Sequence, residues 1–345
     1  MTDNCLKILF MIIMIASLYA CTSDITPSPD TPVPVSLTST SGINVISSSS
    51  AQDIVLLKKF QAHSKRVLDI HFSARGEHIV STSQDMNIKV WDTTSLQEVH
   101  TFSMASVDMA YIDVSIRDNL LATGEAIWDL QSMDEVHQLE RGSQFPAFVA
   151  FSPDGLTLAL GIFDKEVNLI DVSTGERKFT FPDQGEKRTK RLAFSPDGKI
   201  LAAGVIDGTV RLWDADSGEP LKVLHYSGET DIHGIAFSPN GNYLVTGGRV
   251  PAVVLWDVAT GEIVRTFRLR DNVLNVAFSP DGSILATAGG FEKAILLWDV
   301  AGGDLLQTLP HNDQSMAVAF SPDGRHLAVG CFDGQIYLWG IPAQP

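Results

Sequence analysis

The sequence predicts an all-β chain folded as a seven-bladed β-propeller of four-stranded antiparallel blades, and three observations carry that reading. A pentapeptide recurs, as FSPDG at Phe151–Gly155, Phe194–Gly198, Phe278–Gly282 and Phe320–Gly324, as FSPNG at Phe237–Gly241, and in decayed form as FSARG at Phe72–Gly76. A second marker keeps step with it: Trp91-Asp92, Trp128-Asp129, Ile170-Asp171, Trp213-Asp214, Trp256-Asp257, Trp298-Asp299 and Trp339-Gly340, spaced by 37, 42, 43, 43, 42 and 41 residues. All six tryptophans of the chain fall in this register. Between the markers lie short apolar runs separated by turn residues, and helix signals are nearly absent beyond the N-terminus. A repeat of about 40–45 residues built from four short strands is the pattern of propeller blades.

The clearest copy, Leu192–Glu219, shows why each element forms. Leu192–Phe194 is a short apolar strand. Ser195-Pro196-Asp197-Gly198 suits a type I turn: proline presets φ at the second position and glycine fits the fourth. Ile200–Val205 is a second strand. Asp207-Gly208 is a hairpin signal, because both residues tolerate positive φ. Thr209–Trp213 is a third strand rich in β-branched and aromatic residues. Ser217-Gly218 turns the chain into a fourth, Glu219–Leu224.

FSPDG, DGTVRLWD (Asp207–Asp214) and VATGE (Val258–Glu262) resemble the WD-repeat β-propeller family, as its bacterial members carry them. The resemblance spans residues 52–341, and the propeller domain is set at 52–345. It implies a structural tetrad in blade 1, in which His63, Ser81 or Ser83, Asp85 and Trp91 hydrogen-bond to one another. Blade 7 repeats it in part, with His311, Asp333 and Trp339. The same Ser, His and Asp types could be read as a hydrolase trio, but buried polar groups finding partners explain them as well. The resemblance further implies a non-catalytic interaction platform.

Ile54–Phe60 reads as a strand that precedes the first repeat, while the last repeat holds only three strands. The N-terminal strand is therefore expected to complete the last blade, which removes an exposed sheet edge.

The chain is acidic, with 41 Asp and Glu against 25 Lys and Arg and a net charge of −16. That argues against nonspecific nucleic-acid binding, which needs a basic footprint. Leu6–Ala20 is an apolar run shorter than the roughly 20 residues of a membrane span. It ends Leu18-Tyr19-Ala20-Cys21, resembling a bacterial lipobox in which Cys21 is acylated, so residues 1–21 are expected to be a lipoprotein signal. An uncleaved anchor or an ordinary signal peptide are the alternatives, and all three place the propeller in the cell envelope outside the cytoplasm, with a lipid anchor to the membrane in the first. Residues 22–51, rich in Ser, Thr and Pro, are expected to be a disordered tether with a reach of roughly 30 Å. Past Cys5 and Cys21 only Cys331 remains, so no intrachain disulfide is expected, and Cys331 reads as a small buried hydrophobe.

The blades fall at about 61–102, 103–139, 140–181, 182–224, 225–267, 268–309 and 310–345. Blade 2 is shortened in its second hairpin, Thr123–Ala126, through drift or as a notch for a ligand. Blade 4 carries a basic cluster, Lys187, Arg188, Lys190 and Arg191, read as a solvated loop or as a contact for an acidic partner. Blade 5 has His225, His233 and Asp231, whose spacing matches no compact metal site. No metal or cofactor is expected.

Stepping six residues back from each repeat phenylalanine gives equivalent positions in the loops that lead into the innermost strands: Arg66, Phe145, Arg188, Asp231, Asn272 and Gln314, with Asp108 filling the blade 2 place. With Lys187 these are the candidate partner contacts, since aromatic and arginine side chains are enriched at interface hot spots. The expected function is protein–protein interaction by a monomeric ring; ligand or glycan sensing through the channel or the blade 2 notch is the alternative, and a propeller hydrolase or lyase a remoter one.

Overall fold

The computed structural model describes residues 45–104, 111–139, 146–162, 166–181, 188–226, 231–290 and 292–342. Among them, 28 strands form seven four-stranded antiparallel sheets. Blade 1 is β2–β5 (67–103), blade 2 β6–β9 (113–138), blade 3 β10–β13 (146–181) and blade 4 β14–β17 (189–225). Blade 5 is β18–β21 (232–268) and blade 6 β22–β25 (275–310). Blade 7 is β26–β28 (315–340), completed on its outer side by β1 (Val55–Gln61), which pairs antiparallel with Gln335–Gly340. The protein is a seven-bladed propeller sealed by its N-terminal strand, as the repeat count and the missing last strand lead one to expect.

The repeat motifs are held by local hydrogen bonds. In the turn at Ser195–Gly198, the Gly198 amide donates to the Ser195 carbonyl at 2.8 Å. The Ser195 hydroxyl accepts from the Ile200 amide at 2.9 Å and donates to Asp197 at 2.6 Å. Gly198 sits at φ +74°, a conformation that excludes most other residues. The aspartate of each Trp-Asp pair accepts from the turn that follows: Asp214 takes both the amide and the hydroxyl of Ser217, at 2.8 and 2.7 Å, and Asp92 and Asp257 treat Ser95 and Thr260 alike.

Blades interlock through two contacts. The tryptophan of one blade packs on an aromatic of the preceding blade's outer strand: Phe60 on Trp91, Phe102 on Trp128, Phe181 on Trp213 and Phe267 on Trp298, with ring centroids 5.0–5.7 Å apart. Nearer the axis, a small residue on each second strand lets the next blade close in. A Cβ at Gly204 would meet Ile232 at 2.6 Å, and one at Gly330 would meet Val67 at 2.5 Å. The cores are thus continuous from blade to blade rather than confined within each sheet.

The ordered chain starts earlier than residue 52. Residues 45–51, expected to belong to a disordered tether, pack on blades 6 and 7. Ile46 is fully buried and its amide donates to the Gly324 carbonyl at 2.7 Å, while the Ser48 amide donates to Ser283 Oγ at 3.0 Å. The serine run closes a turn: the Ser50 hydroxyl donates to the Val45 carbonyl at 2.7 Å and accepts from the Ser47 amide at 2.9 Å. Composition alone reads those serines as low complexity; the apolar Ile46 beside them is what anchors the segment.

Blade 2 is the irregular one. Its innermost strand, Asp113–Val114, has two residues, and Leu120–Ala122 has three. Its first turn lacks proline, so Gly155 of the next blade faces Asp118 and Ser115, whereas Gly198, Gly241, Gly282 and Gly324 each face the proline of the preceding turn.

Candidate functional site

The ring presents two faces and an axial channel. On the upper face lie the loops leading into the innermost strands and the hairpins joining second to third strands. The repeat turns and the arriving segment 45–50 lie on the lower face.

Four of the candidate contacts occupy equivalent places on the upper face. The carbonyls of Arg66, Arg188, Asp231 and Gln314 accept from the amides of Gln84, Ile206, Arg249 and Phe332, each in its own blade's second hairpin. Their side chains differ. The Arg66 guanidinium lies over the ring of Phe332, 5.1 Å from its centre, joining blade 1 to blade 7. Phe332 is 36% exposed, a large apolar ring on the surface that sequence periodicity did not single out. Arg188 is exposed. Asp231 lies 3.6 Å from Arg249 and 3.7 Å from His233. Asn272 turns its side-chain oxygen inward, without a hydrogen-bond partner, so it offers little to a partner. Cys21, Asp108, Phe145 and Lys187 lie outside the described residues.

The basic cluster of blade 4 is not one surface loop. The strand starts at Thr189, so Lys190 and Arg191 belong to it, and Arg191 turns into the channel. There Nε donates to the His233 carbonyl at 2.7 Å, Nη1 stands 3.4 Å from Asp69 Oδ2, and the guanidinium stacks on Tyr111 at 4.3 Å.

Asp69 and His71 of blade 1, Asp113 of blade 2 and Arg191 of blade 4 form a polar crescent that crosses the channel. His71 Nε2 is 3.6 Å from Asp69 and its Nδ1 is 3.5 Å from Asp113. Asp113 also accepts from the amides of Phe151 at 2.7 Å and Val114 at 2.8 Å. Burial opposes the charged form of Asp69, but Arg191 and His71 outweigh it and hold the carboxyl below its usual range. Burial of His71 is likewise outweighed by Asp69, then Asp113, so its pKa is raised. For Asp113 burial wins, and its pKa is raised. Among the described residues, no three His, Cys, Asp or Glu side chains converge as metal ligands would.

The facing wall is small and apolar. The residue before the repeat phenylalanine is Ala150, Ala193, Ala236, Ala277 or Ala319 in five blades, and only blades 1 and 2 place His71 and Asp113 there. That substitution is visible when the repeats are aligned, and it is the signal the sequence offered for this crescent. The cavity measures about 770 Å³ and reaches the lower face, where Pro153, Pro196, Pro239, Pro280 and Pro322 line its mouth.

The blade 1 tetrad residues meet in the interior. His63 Nδ1 lies 3.1 Å from Asp85 Oδ2, its Nε2 lies 2.8 Å from Ser81 Oγ, and the Trp91 indole donates to the same hydroxyl at 2.9 Å. Ser83 stands outside this chain; its hydroxyl donates to the Lys65 carbonyl at 3.2 Å and accepts from the Asp85 amide at 3.0 Å. Ser83 is two residues nearer the hairpin than Ser81, the residue whose hydroxyl the indole reaches. Blade 7 brings its counterparts near one another but does not link them. Trp339 Nε1 and His311 Nε2 lack hydrogen-bond partners, because Val329 occupies the place of Ser81. Blades 5 and 6 keep a hydroxyl there, with Trp256 donating to Thr246 at 2.9 Å and Trp298 to Thr287 at 3.2 Å. Burial pushes His311 down to about 4 and the Cys331 thiol upward, leaving Cys331 a buried, unreactive group.

Radial four-stranded sheets, interblade tryptophans and a hydrogen-bonded His-Ser-Asp-Trp set define a repeat propeller whose polar motif residues serve the scaffold. The WD domain, G-beta repeat family matches residues 54–92, 218–257, 261–299 and 303–340. The family described as the anaphase-promoting complex subunit 4 WD40 domain matches residues 175–230. The chain belongs to the WD-repeat family. The matches pass over 93–174, which contains the shortened blade 2 and the blade whose tryptophan is Ile170. A search of the curated proteins finds no match.

Proposed function

We propose that this propeller is a non-catalytic scaffold for protein–protein interaction, working through its upper face while tethered to the outer side of a bacterial membrane. The observation that carries the reading is the exposed Arg66–Phe332 stack on that face, an aromatic and an arginine of the kind that dominate interface energetics. WD-repeat domains in general mediate protein–protein contacts. The only serine–histidine–aspartate set linked by hydrogen bonds among the described residues is sequestered, with Ser81 at 0% and His63 at 2% exposure, so substrate has no path to it. The ordered chain arrives on the lower face, beside Gly324 and Ser283. A lipid on Cys21 and a tether would then leave the upper face directed away from the bilayer.

Crosslinking of the membrane-anchored protein followed by mass spectrometry tests this. Crosslinks to a protein partner should map to the Arg66, Phe332 and Arg188 region and vanish in Arg66→Glu/Phe332→Ser. Partner capture that is indifferent to those substitutions sinks the assignment of the face; recovery of the unprocessed chain in a soluble fraction sinks the anchor.

A further inference from the structure

The axial channel contains an asymmetric cavity that holds hydrogen-bond donors beside its two carboxylates. Asp113 accepts from two backbone amides, and Asp69 from the Ile70 amide at 3.2 Å and from Arg191. The Arg191 guanidinium, by contrast, has five N–H groups, of which Nε is satisfied and one Nη reaches Asp69. Among the described residues its hydrogen bonds run through Nε and Nη1. Asn275, on the innermost strand of blade 6, lines the same cavity. His71 stands 3.5–3.6 Å from its two carboxylates, beyond close hydrogen-bond range, and retains access to the cavity. The remaining wall is apolar, its alanines interspersed with valine, isoleucine and phenylalanine, with the Tyr111–Phe148 pair, centroids 4.6 Å apart, beside the guanidinium.

We propose that this cavity binds a small organic monocarboxylate with an apolar body, its carboxylate received between Arg191 and Asn275 and its body lying along the alanine wall toward the proline-lined mouth. Arginine presents a planar fork that matches a carboxylate in two-point fashion. The volume of about 770 Å³ is in the range of small-molecule sites. An amine would meet the Arg191 guanidinium where a carboxylate is received, so amines serve as the discriminating controls. This site is separate from the upper-face contacts, and its presence or absence leaves the scaffold reading standing.

The test uses the purified full chain with benzoate and hexanoate as probes and benzylamine, hexylamine and hexanol as controls, read by calorimetry and by ligand-observed NMR. Both carboxylates should bind saturably, with dissociation constants in the millimolar range or tighter, as expected of ligands with about ten heavy atoms. The amines should not. Ala236→Leu fills the channel without touching the polar crescent and should weaken binding by about tenfold or more. Asn275→Ala should weaken it by a smaller factor, with its urea unfolding midpoint measured alongside to show that the fold is kept. Absence of saturable carboxylate binding, equal binding of the amines, or binding unchanged in both variants overturns the proposal.

Discussion

Arg191 of blade 4 places Nη1 3.4 Å from Oδ2 of Asp69 in blade 1, so one side chain spans the propeller axis. The two residues are 122 positions apart in the chain. Asp69 is 2% exposed, and its carboxylate depends on that neighbour and on His71. Arg191→Met is expected to destabilise the ring by about 3–5 kcal/mol, because it strands a buried charge. Adding Asp69→Asn should recover most of that loss. Urea unfolding of the two single variants and the double variant measures the coupling; additive losses would mean the strut carries no mutual energy.

The vacant hydroxyl of blade 7 offers a gain of stability. Trp339 Nε1 and His311 lack the partner that Ser81 gives Trp91 and His63. Val329 stands in its place, and threonine has nearly the same shape. Val329→Thr should stabilise the protein by about 1 kcal/mol, the net worth of a hydrogen bond to a buried donor. The reverse change, Ser81→Ala, should cost about 1–3 kcal/mol. A lower unfolding midpoint for Val329→Thr would show that the hydroxyl is not accommodated there.

The segment that precedes β1 contributes to closure. Ile46 is fully buried among Ile284, Leu309 and neighbouring residues of blades 6 and 7. Ile46→Ala should cost about 2–4 kcal/mol, as for other buried large-to-small changes. Chains shortened to begin at residue 52 should melt lower than chains beginning at residue 44, and chains beginning at residue 62 should not form a cooperative ring at all. Equal melting of the first two would assign the segment no energetic role.

Stability is expected to fall as pH falls through the histidine range. Burial holds His311 and His233 down to about 4, and holds His63 below its ordinary value. In the unfolded chain these imidazoles protonate near pH 6.5. Between about 6.5 and 4 the unfolded state binds more protons than the folded one, so folding free energy drops with falling pH, by at most about 1.4 kcal/mol per unit for each such group. The loss levels off below about 4. His71 acts in the opposite sense: its raised pKa stabilises at pH below 6.5, and that contribution fades as pH rises through its folded value. Urea midpoints from pH 8 to 4 should show the decline, and His311→Leu should flatten it. A profile unchanged by that substitution would mean His311 titrates normally.

The ring was legible because its signals are repeated: each Trp-Asp pair and each FSPDG turn is a local chemical solution, used again at a fixed interval. Closure by Val55–Gln61 followed from counting strands. The channel crescent was harder to see, since Asp69, His71, Asp113 and Arg191 come from three blades and meet only when the sheets are arranged radially. Arg191 looked like a member of a surface run because its neighbours Arg188 and Lys190 are charged, whereas strand alternation turns it inward. Ser83 and Ser81 were indistinguishable until the fold showed which hydroxyl the Trp91 indole reaches. The packed end of the expected tether, residues 45–51, was hidden by serine content, which reports composition and not the single isoleucine that pins it.

Sealing the last blade with β1 also sets a schedule for biosynthesis. Val55 and Gly340 are register partners, so the first strand made waits for the last. Until β28 has been made, β1 has no strand to pair with and the circle stays unfinished, so closure comes late in folding.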